Sequence, residues 1–276
     1  MLLATLLALA AAALHASWNL AVKQSTDRRL SLWGQFFIAG LLSAITLGTW
    51  IVIDGMPTIA WRWVFFSGAI HLPYILALAR AYDMGDFSMA YPIARGGGAL
   101  LAAIGGVVIL SDDLSALSMI GIVAVVIGLL VLASTGAPPT VVAALVVAVT
   151  IGAYTIVDSH GARLSDALPY TLSLMIFEAV ITTSWMSMTR RAQMWPTLRR
   201  NWKILTAGAV ASTAAYAMVL IAVQHAPVGY VAALRESSVV LAAFAGWRYL
   251  NEGDHRRRIA SAIIVLIGMV ILVSGG

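Results

Sequence analysis

Residues Arg95 to Ser134 align without a gap to residues Arg235 to Ser274, at an offset of 140, and eleven of the forty pairs are identical. The matches include Arg95/Arg235, Gly106/Gly246, Gly128/Gly268 and Ser134/Ser274, and Asp112 falls opposite Glu252. Leu, Ala and Val match cheaply between apolar helices; paired arginines and an Asp/Glu pair do not. A chain with such an echo builds two like halves. In a membrane, the space between like halves is where transporter substrates bind.

Composition supplies the membrane. Hydrophobic residues make up 61% of the chain and charged residues 11%, against roughly 25% charge in soluble domains. Apolar runs fall at about 2–23, 30–53, 61–82, 87–110, 115–134, 140–157, 167–189, 203–224, 227–250 and 258–275, each near the ~20 residues that cross a bilayer. They predict an all-α integral membrane protein with ten transmembrane helices, five in residues 1–136 and five in 137–276. An odd number of crossings per half inserts the second half upside down, so the repeats are expected to be inverted. Residues 2–14 resemble a signal-peptide core but lack its leading positive charges, and are read as a retained first helix. In the second half Tyr154-Thr155 stands opposite this helix's Trp18-Asn19.

The longest loop, around Arg190 to Lys203, is basic and too short for a catalytic or nucleic-acid-binding module. Without cysteine there is no thiolate metal site and no thiol redox chemistry, and no cofactor is implied. Excess Lys and Arg in such a chain reports orientation rather than nucleic acid. Loops after odd-numbered helices hold thirteen basic residues and loops after even-numbered helices two, Arg62 and Arg163. That places the odd-numbered loops in the cytoplasm and both termini outside. The bilayer is a partner by composition, and Arg256-Arg257-Arg258 is expected to anchor to anionic lipid at its surface.

A charged side chain at the bilayer centre costs about 2.5–3.5 kcal/mol on insertion scales, so it needs a partner or water. Arg95, Glu178, Arg235 and Glu236 fall well inside apolar runs, with His15 and His71 also deep. Arg95 and Arg235 hold equivalent positions, so an inverted two-fold brings them to similar depth. Guanidinium groups grip carboxylates and phosphates with paired donors. Two readings stand side by side: an anion clamp at the repeat interface, or arginines neutralised by glutamates that only hold helices together. Glu236 is in turn either the partner of Arg235 or a proton carrier.

His15, Trp18 and Asn19 share one helix face by their spacing, which makes a recognition surface or a packed polar contact. Tyr91 shares a face with Arg95, Tyr74 with His71, and Tyr154 with Asp158, the last expected near a solvated boundary. Asp112 and Glu252 precede the fifth and tenth helices and are expected to cap them. Gly121/Ser261 and Gly128/Gly268 predict close backbone packing of those helices. Pro92 and Gly96-Gly97-Gly98 predict a bend or break in the fourth helix. With no strand and no GKT-type lysine, the glycine run is not a phosphate loop.

Three motifs are similar to the EamA-type branch of the drug/metabolite transporter superfamily. They are His15-Ala16-Ser17-Trp18-Asn19 with Lys23, Tyr91-Pro92-Ile93-Ala94-Arg95-Gly96 ending in Leu110-Ser111-Asp112-Asp113, and Ala233-Leu234-Arg235-Glu236-Ser237-Ser238 ending in Leu250-Asn251-Glu252. Ser111-Asp112 departs from the family's usual Gly-Glu. The resemblance covers essentially the whole chain. It implies a ten-helix carrier of small metabolites in the cell (inner) membrane, with export favoured over uptake, and a peripheral seventh helix carrying Glu178. The expected substrate is an amino acid, a carboxylate or a similar anion or zwitterion. His15, Trp18, Asn19, His71, Tyr74, Tyr91, Arg95, Tyr154, Arg235 and Glu236 are the candidate substrate-binding residues. Proton coupling through Glu236 or His15 and uncoupled exchange both stay open, as does the oligomeric state. The alternatives of another class are an intramembrane or lipid-modifying enzyme, for which no nucleophile–base or metal-ligand spacing is present, and a pore.

The basic-residue count gives a direct prediction. An alkaline phosphatase fusion after Gly276 should be active, and a fluorescent-protein fusion there should be dark. Fluorescence from a cytoplasmic C-terminus would reverse the orientation and leave the helix count standing.

Overall fold

The computed structural model describes residues 2–110, 115–134, 136–226 and 228–274. Among these the regular structure is entirely helical. The elements are α1 (Leu2–Gln24), α2 (Arg28–Asp54), α3 (Trp61–Met84), α4 (Phe87–Leu110), α5 (Ala116–Ala133), α6 (Pro138–Arg163), α7 (Ala167–His225), α8 (Val228–Arg235), α9 (Ser237–Leu250) and α10 (His255–Ser274). Five of them, α1, α2, α3, α6 and α7, are long and apolar enough among the described residues to cross a membrane.

At 59 residues α7 far exceeds a bilayer core of about 30 Å, since each residue adds about 1.5 Å. Its backbone leaves helical geometry at Arg190 (φ −145°, ψ 29°), which divides it into two arms. The segment after Arg190, expected as a loop, is helical. Met194 and Leu198, one turn apart, pack with Trp33 and Met186, and this four-residue apolar spacing selects a helix with its basic residues turned outward. Arg190 also pairs with Asp27 Oδ2 at 2.6 Å. The other oxygen of Asp27 caps α2 by accepting from Leu30 N at 3.0 Å.

The fourth helix is not broken. It runs on through Pro92 and the glycines, whose missing side chains serve close approach instead: a Cβ on Gly96 would come within 2.8 Å of Val265 Cγ1, and one on Gly97 within 3.0 Å of Ala148 Cβ. The break lies in the other half, between α8 and α9 at Glu236. The expected close packing of the fifth and tenth elements is present. A Cβ on Gly268 would sit 2.7 Å from Val125 N, and one on Gly128 3.1 Å from Val265 N, so α5 and α10 meet backbone to backbone.

Glu252 caps a helix, but not the one expected. Its two carboxylate oxygens accept from Phe87 N at 2.6 Å and Ser88 N at 2.8 Å, which neutralises the N-terminus of α4 rather than α10. The turn before α10 is long enough for this side chain to reach the other half. Asp112 lies outside the described residues. Arg258, expected at the lipid surface, is only 4% exposed; from the first turn of α10 it points under α4, to Asp86 at 2.7 Å and Ser88 Oγ at 2.8 Å. Lys23, at the end of α1, donates to Tyr82 O at 2.8 Å and to Gly85 O. One end of the bundle is thus tied shut by a polar lock joining α1, the α3–α4 turn and α10.

Candidate functional site

Between the two halves, α4 packs on α6 and α9, while α1 packs on α7, α8 and α9. All ten residues singled out from sequence are buried along these contacts or along that of α3 with α6 and α7, and they fall into two groups.

The first group surrounds the break at Glu236. The Glu236 amide is shared between Ala232 O at 3.2 Å and Ala233 O at 3.1 Å, so the helix tightens locally toward a 3₁₀ turn without becoming a loop. Arg235 and Glu236, about 100° apart on a helix, diverge there. Glu236 reaches α4, where Arg95 donates to its Oε1 at 3.2 Å. Both are buried, at 4% and 0% exposure. Glu236 is therefore the partner of Arg95, not of Arg235. His15 lies edge-on to Trp18, with ring centres 5.0 Å apart, and 6.2 Å from the Tyr91 ring. In this neighbourhood three buried polar atoms have no hydrogen-bond partner, Trp18 Nε1, Arg95 Nε and Glu236 Oε2, while the hydroxyls of Tyr91 and Ser238 face each other. Folded interiors leave few such atoms, and a group of them marks a place where water or a polar solute belongs. Asn19 is already engaged, accepting from Tyr82 Oη at 2.7 Å and donating to His15 O at 2.9 Å.

The second group is an aromatic box. His71 stacks on Tyr154 at 4.4 Å, with Tyr74 at 5.7 Å and Tyr216 at 6.3 Å from the imidazole. Behind it Asp158 accepts from Tyr170 Oη at 3.1 Å and from Tyr216 Oη. Expected near a solvated boundary, Asp158 is fully buried, because the two arms of α7 fold both tyrosines over the end of α6. Glu178 is not peripheral either. It is 0% exposed and 3.1 Å from His71 Nε2.

Arg235 joins the groups. It is 5% exposed, has no ion pair among the described residues, and shares a narrow crevice with Thr155, Asp158, Tyr216 and Val231. Each wall comes from a different element: α6, the second arm of α7, and α8. Sequence reasoning missed Tyr216, Tyr170 and Ser238. The signal for Tyr216 was a hydroxyl-bearing ring set among small residues, Ala214-Ala215-Tyr216-Ala217, in a run read only for its hydrophobicity.

Residues 138–274 match the model of the EamA-like transporter family. No curated protein matches the chain. A solved structure, titled only as the crystal structure of a protein, superposes with a TM-score of 0.68 over 98% of this chain and 96% of its own, at 17% identity. At that identity the likeness is one of fold.

The Arg95–Glu236 pair yields a double-mutant prediction. Removing one member strands a buried charge at a cost of about 3–5 kcal/mol, whereas removing both does not. Arg95→Ala and Glu236→Ala should each lower the melting temperature in detergent, and the double variant should regain most of the loss. Additive losses would show the two side chains to be uncoupled.

Proposed function

The chain belongs, through residues 138–274, to the EamA-like transporter family, and from that footing we propose a secondary carrier that moves a small anionic or zwitterionic metabolite by alternating access. The observation that carries this reading is Arg235: a buried guanidinium without an ion pair among the described residues, on the wall of a crevice between α6, the second arm of α7 and α8. An unpaired charge at such depth is costly, and a carboxylate or phosphate that enters the crevice removes the cost with two parallel hydrogen bonds. Asp158 and the ring of Tyr216 on the facing wall suit the ammonium of a zwitterion. Trp18 Nε1 and Glu236 Oε2, both unsatisfied, supply a further donor and acceptor for its polar body. Arg95 then acts as the anchor of Glu236 rather than as a second prong.

We also take the halves to be inverted five-helix repeats. Two points support this. First, setting Trp18 opposite Tyr154 makes α6 the counterpart of α1, and the separate match of Arg95 with Arg235, at a slightly different offset, makes α8–α9 that of α4. Second, the corresponding pairs, α4 with α6 and α9 with α1, are both in contact. Ten spans follow when the two arms of α7 count as two and α8 with α9 as one. One end of the bundle is held by the lock of Glu252, Arg258 and Lys23, which has to open for the site to face the other side. Membership of a transporter family points away from an enzyme; the further reading, by family resemblance, is a carrier of the inner membrane that works in export.

Lysine keeps the charge of Arg235 and loses the fork. In proteoliposomes screened with radiolabelled amino acids and small organic acids, Arg235→Lys should raise KM for the transported solute roughly tenfold, the scale of one charged hydrogen bond, with folding unchanged. An unchanged KM would leave the anion site without support.

A further inference from the structure

Apart from Arg258, which is paired in the lock at the bundle end, two arginines and three carboxylic side chains are buried between the helices: Arg95, Arg235, Asp158, Glu178 and Glu236. Fully ionised, this set carries one net negative charge. The Arg95–Glu236 pair closes on itself, and Asp158 is satisfied by two tyrosine hydroxyls. Glu178 is the residue left over. Neither of its oxygens has a hydrogen-bond partner, and the group nearest to it is His71 Nε2 at 3.1 Å.

The other ring nitrogen is committed. His71 Nδ1 lies 2.9 Å from Ser67 O and 3.2 Å from Ser67 Oγ; a carbonyl only accepts, so Nδ1 carries a hydrogen. Ser67 in turn faces Asp158. With Nδ1–H fixed, the Nε2···Oε1 contact is favourable only when it holds one proton, as imidazolium with carboxylate or as imidazole with carboxylic acid. Without it, a bare lone pair would face a bare carboxylate. That same proton brings the buried set to neutrality.

We propose that His71 and Glu178 form a proton-binding site, with one exchangeable proton whose occupancy is linked to the charge at Arg235. Proton transfer makes and breaks one O–H or N–H bond, and the proton comes from and returns to water in the crevice that Asp158, Tyr216 and Arg235 line. The groups around the pair are Ser67 and Tyr74 from α3, Asp158 and Tyr154 from α6, and Tyr170 and Tyr216 from the two arms of α7; Arg235 from α8 stands one layer further off, across the crevice it shares with Asp158 and Tyr216. The buried face of α2 adds no charged residue, and His15 on α1 sits beside Arg95 and Arg235. An acid bound at Arg235 cancels the cation that repels the proton, so acid and proton load together and move in one direction. An inward proton gradient then drives uptake, against the export the family resemblance implies. The linkage rests on Arg235 as the anion site; the proton site does not.

Infrared spectroscopy of the full chain in lipid, titrated from acid to alkaline pH, reads the proton without any substrate. The wild type should show a protonated-carboxyl band that disappears as pH rises, and Glu178→Gln should abolish it. Glu178→Asp, which keeps an acid in place, should move the band and serves as the arm that decides if glutamine prevents folding. Arg235→Gln mimics the neutralised cation. It should retain the band to higher pH by on the order of one unit, the scale of one charge acting across a protein interior, while the exposed Arg248→Gln should not. A band lost only in Asp158→Asn or Glu236→Gln would overturn the assignment to Glu178. A Glu178 band unmoved by Arg235→Gln would overturn the linkage alone, and an unchanged KM in Arg235→Lys would overturn only the anion site.

Discussion

An apolar interior tolerates charge only when the charge is balanced, and the interior of this bundle is organised around a balance that its own side chains do not complete. Arg95 and Glu236 neutralise each other across α4 and the α8–α9 break. Arg235 faces a crevice without a carboxylate partner among the described residues, and Glu178 faces His71 with neither oxygen hydrogen-bonded. One uncompensated cation and one uncompensated acid, in neighbouring groups, are what the proposed anion and proton sites rest on. The match of residues 138–274 to a transporter family is consistent with such a use.

The position of Arg235 and Glu236 as neighbours on one helix is what permits it. Adjacent residues point about 100° apart, so Glu236 enters the α4 contact while Arg235 turns to α6 and α7. The small residues elsewhere serve the same geometry. Gly96 and Gly97 let the α4 backbone come close to α10 and α6, and Gly128 and Gly268 do the same for α5 and α10. Long side chains from α1, α4 and α9 then converge on one layer. At the end of the bundle Glu252 and Arg258 cross to α4, so capping bonds that can be exchanged add to the apolar packing by which the halves meet there.

Much of this was legible in the residues. Apolar runs located the helices because hydrophobic length is set by bilayer thickness, and the matched arginines marked the interface because buried charge is too costly to repeat without use. What failed to show had physical causes. The segment after Arg190 looked like a loop because its charges hid the Met194/Leu198 stripe. The glycines near Arg95 suggested a broken helix, whereas a glycine that serves close approach and one that serves a bend are the same letter. Asp158 and Glu178 were misplaced because depth along a helix does not reveal what folds over it, and the two tyrosines that cover Asp158 come from distant parts of α7. The partner of Glu236 was likewise undetermined, since spacing along one helix is silent about a residue on another.

The most direct test of the account is a structure of the carrier with its transported solute bound. The acidic group of the solute should lie against the Arg235 guanidinium in two parallel hydrogen bonds, with Asp158 and Tyr216 on the opposite wall and the Arg95–Glu236 pair intact. A solute bound elsewhere, with Arg235 paired to a carboxylate of the chain itself, would contradict it.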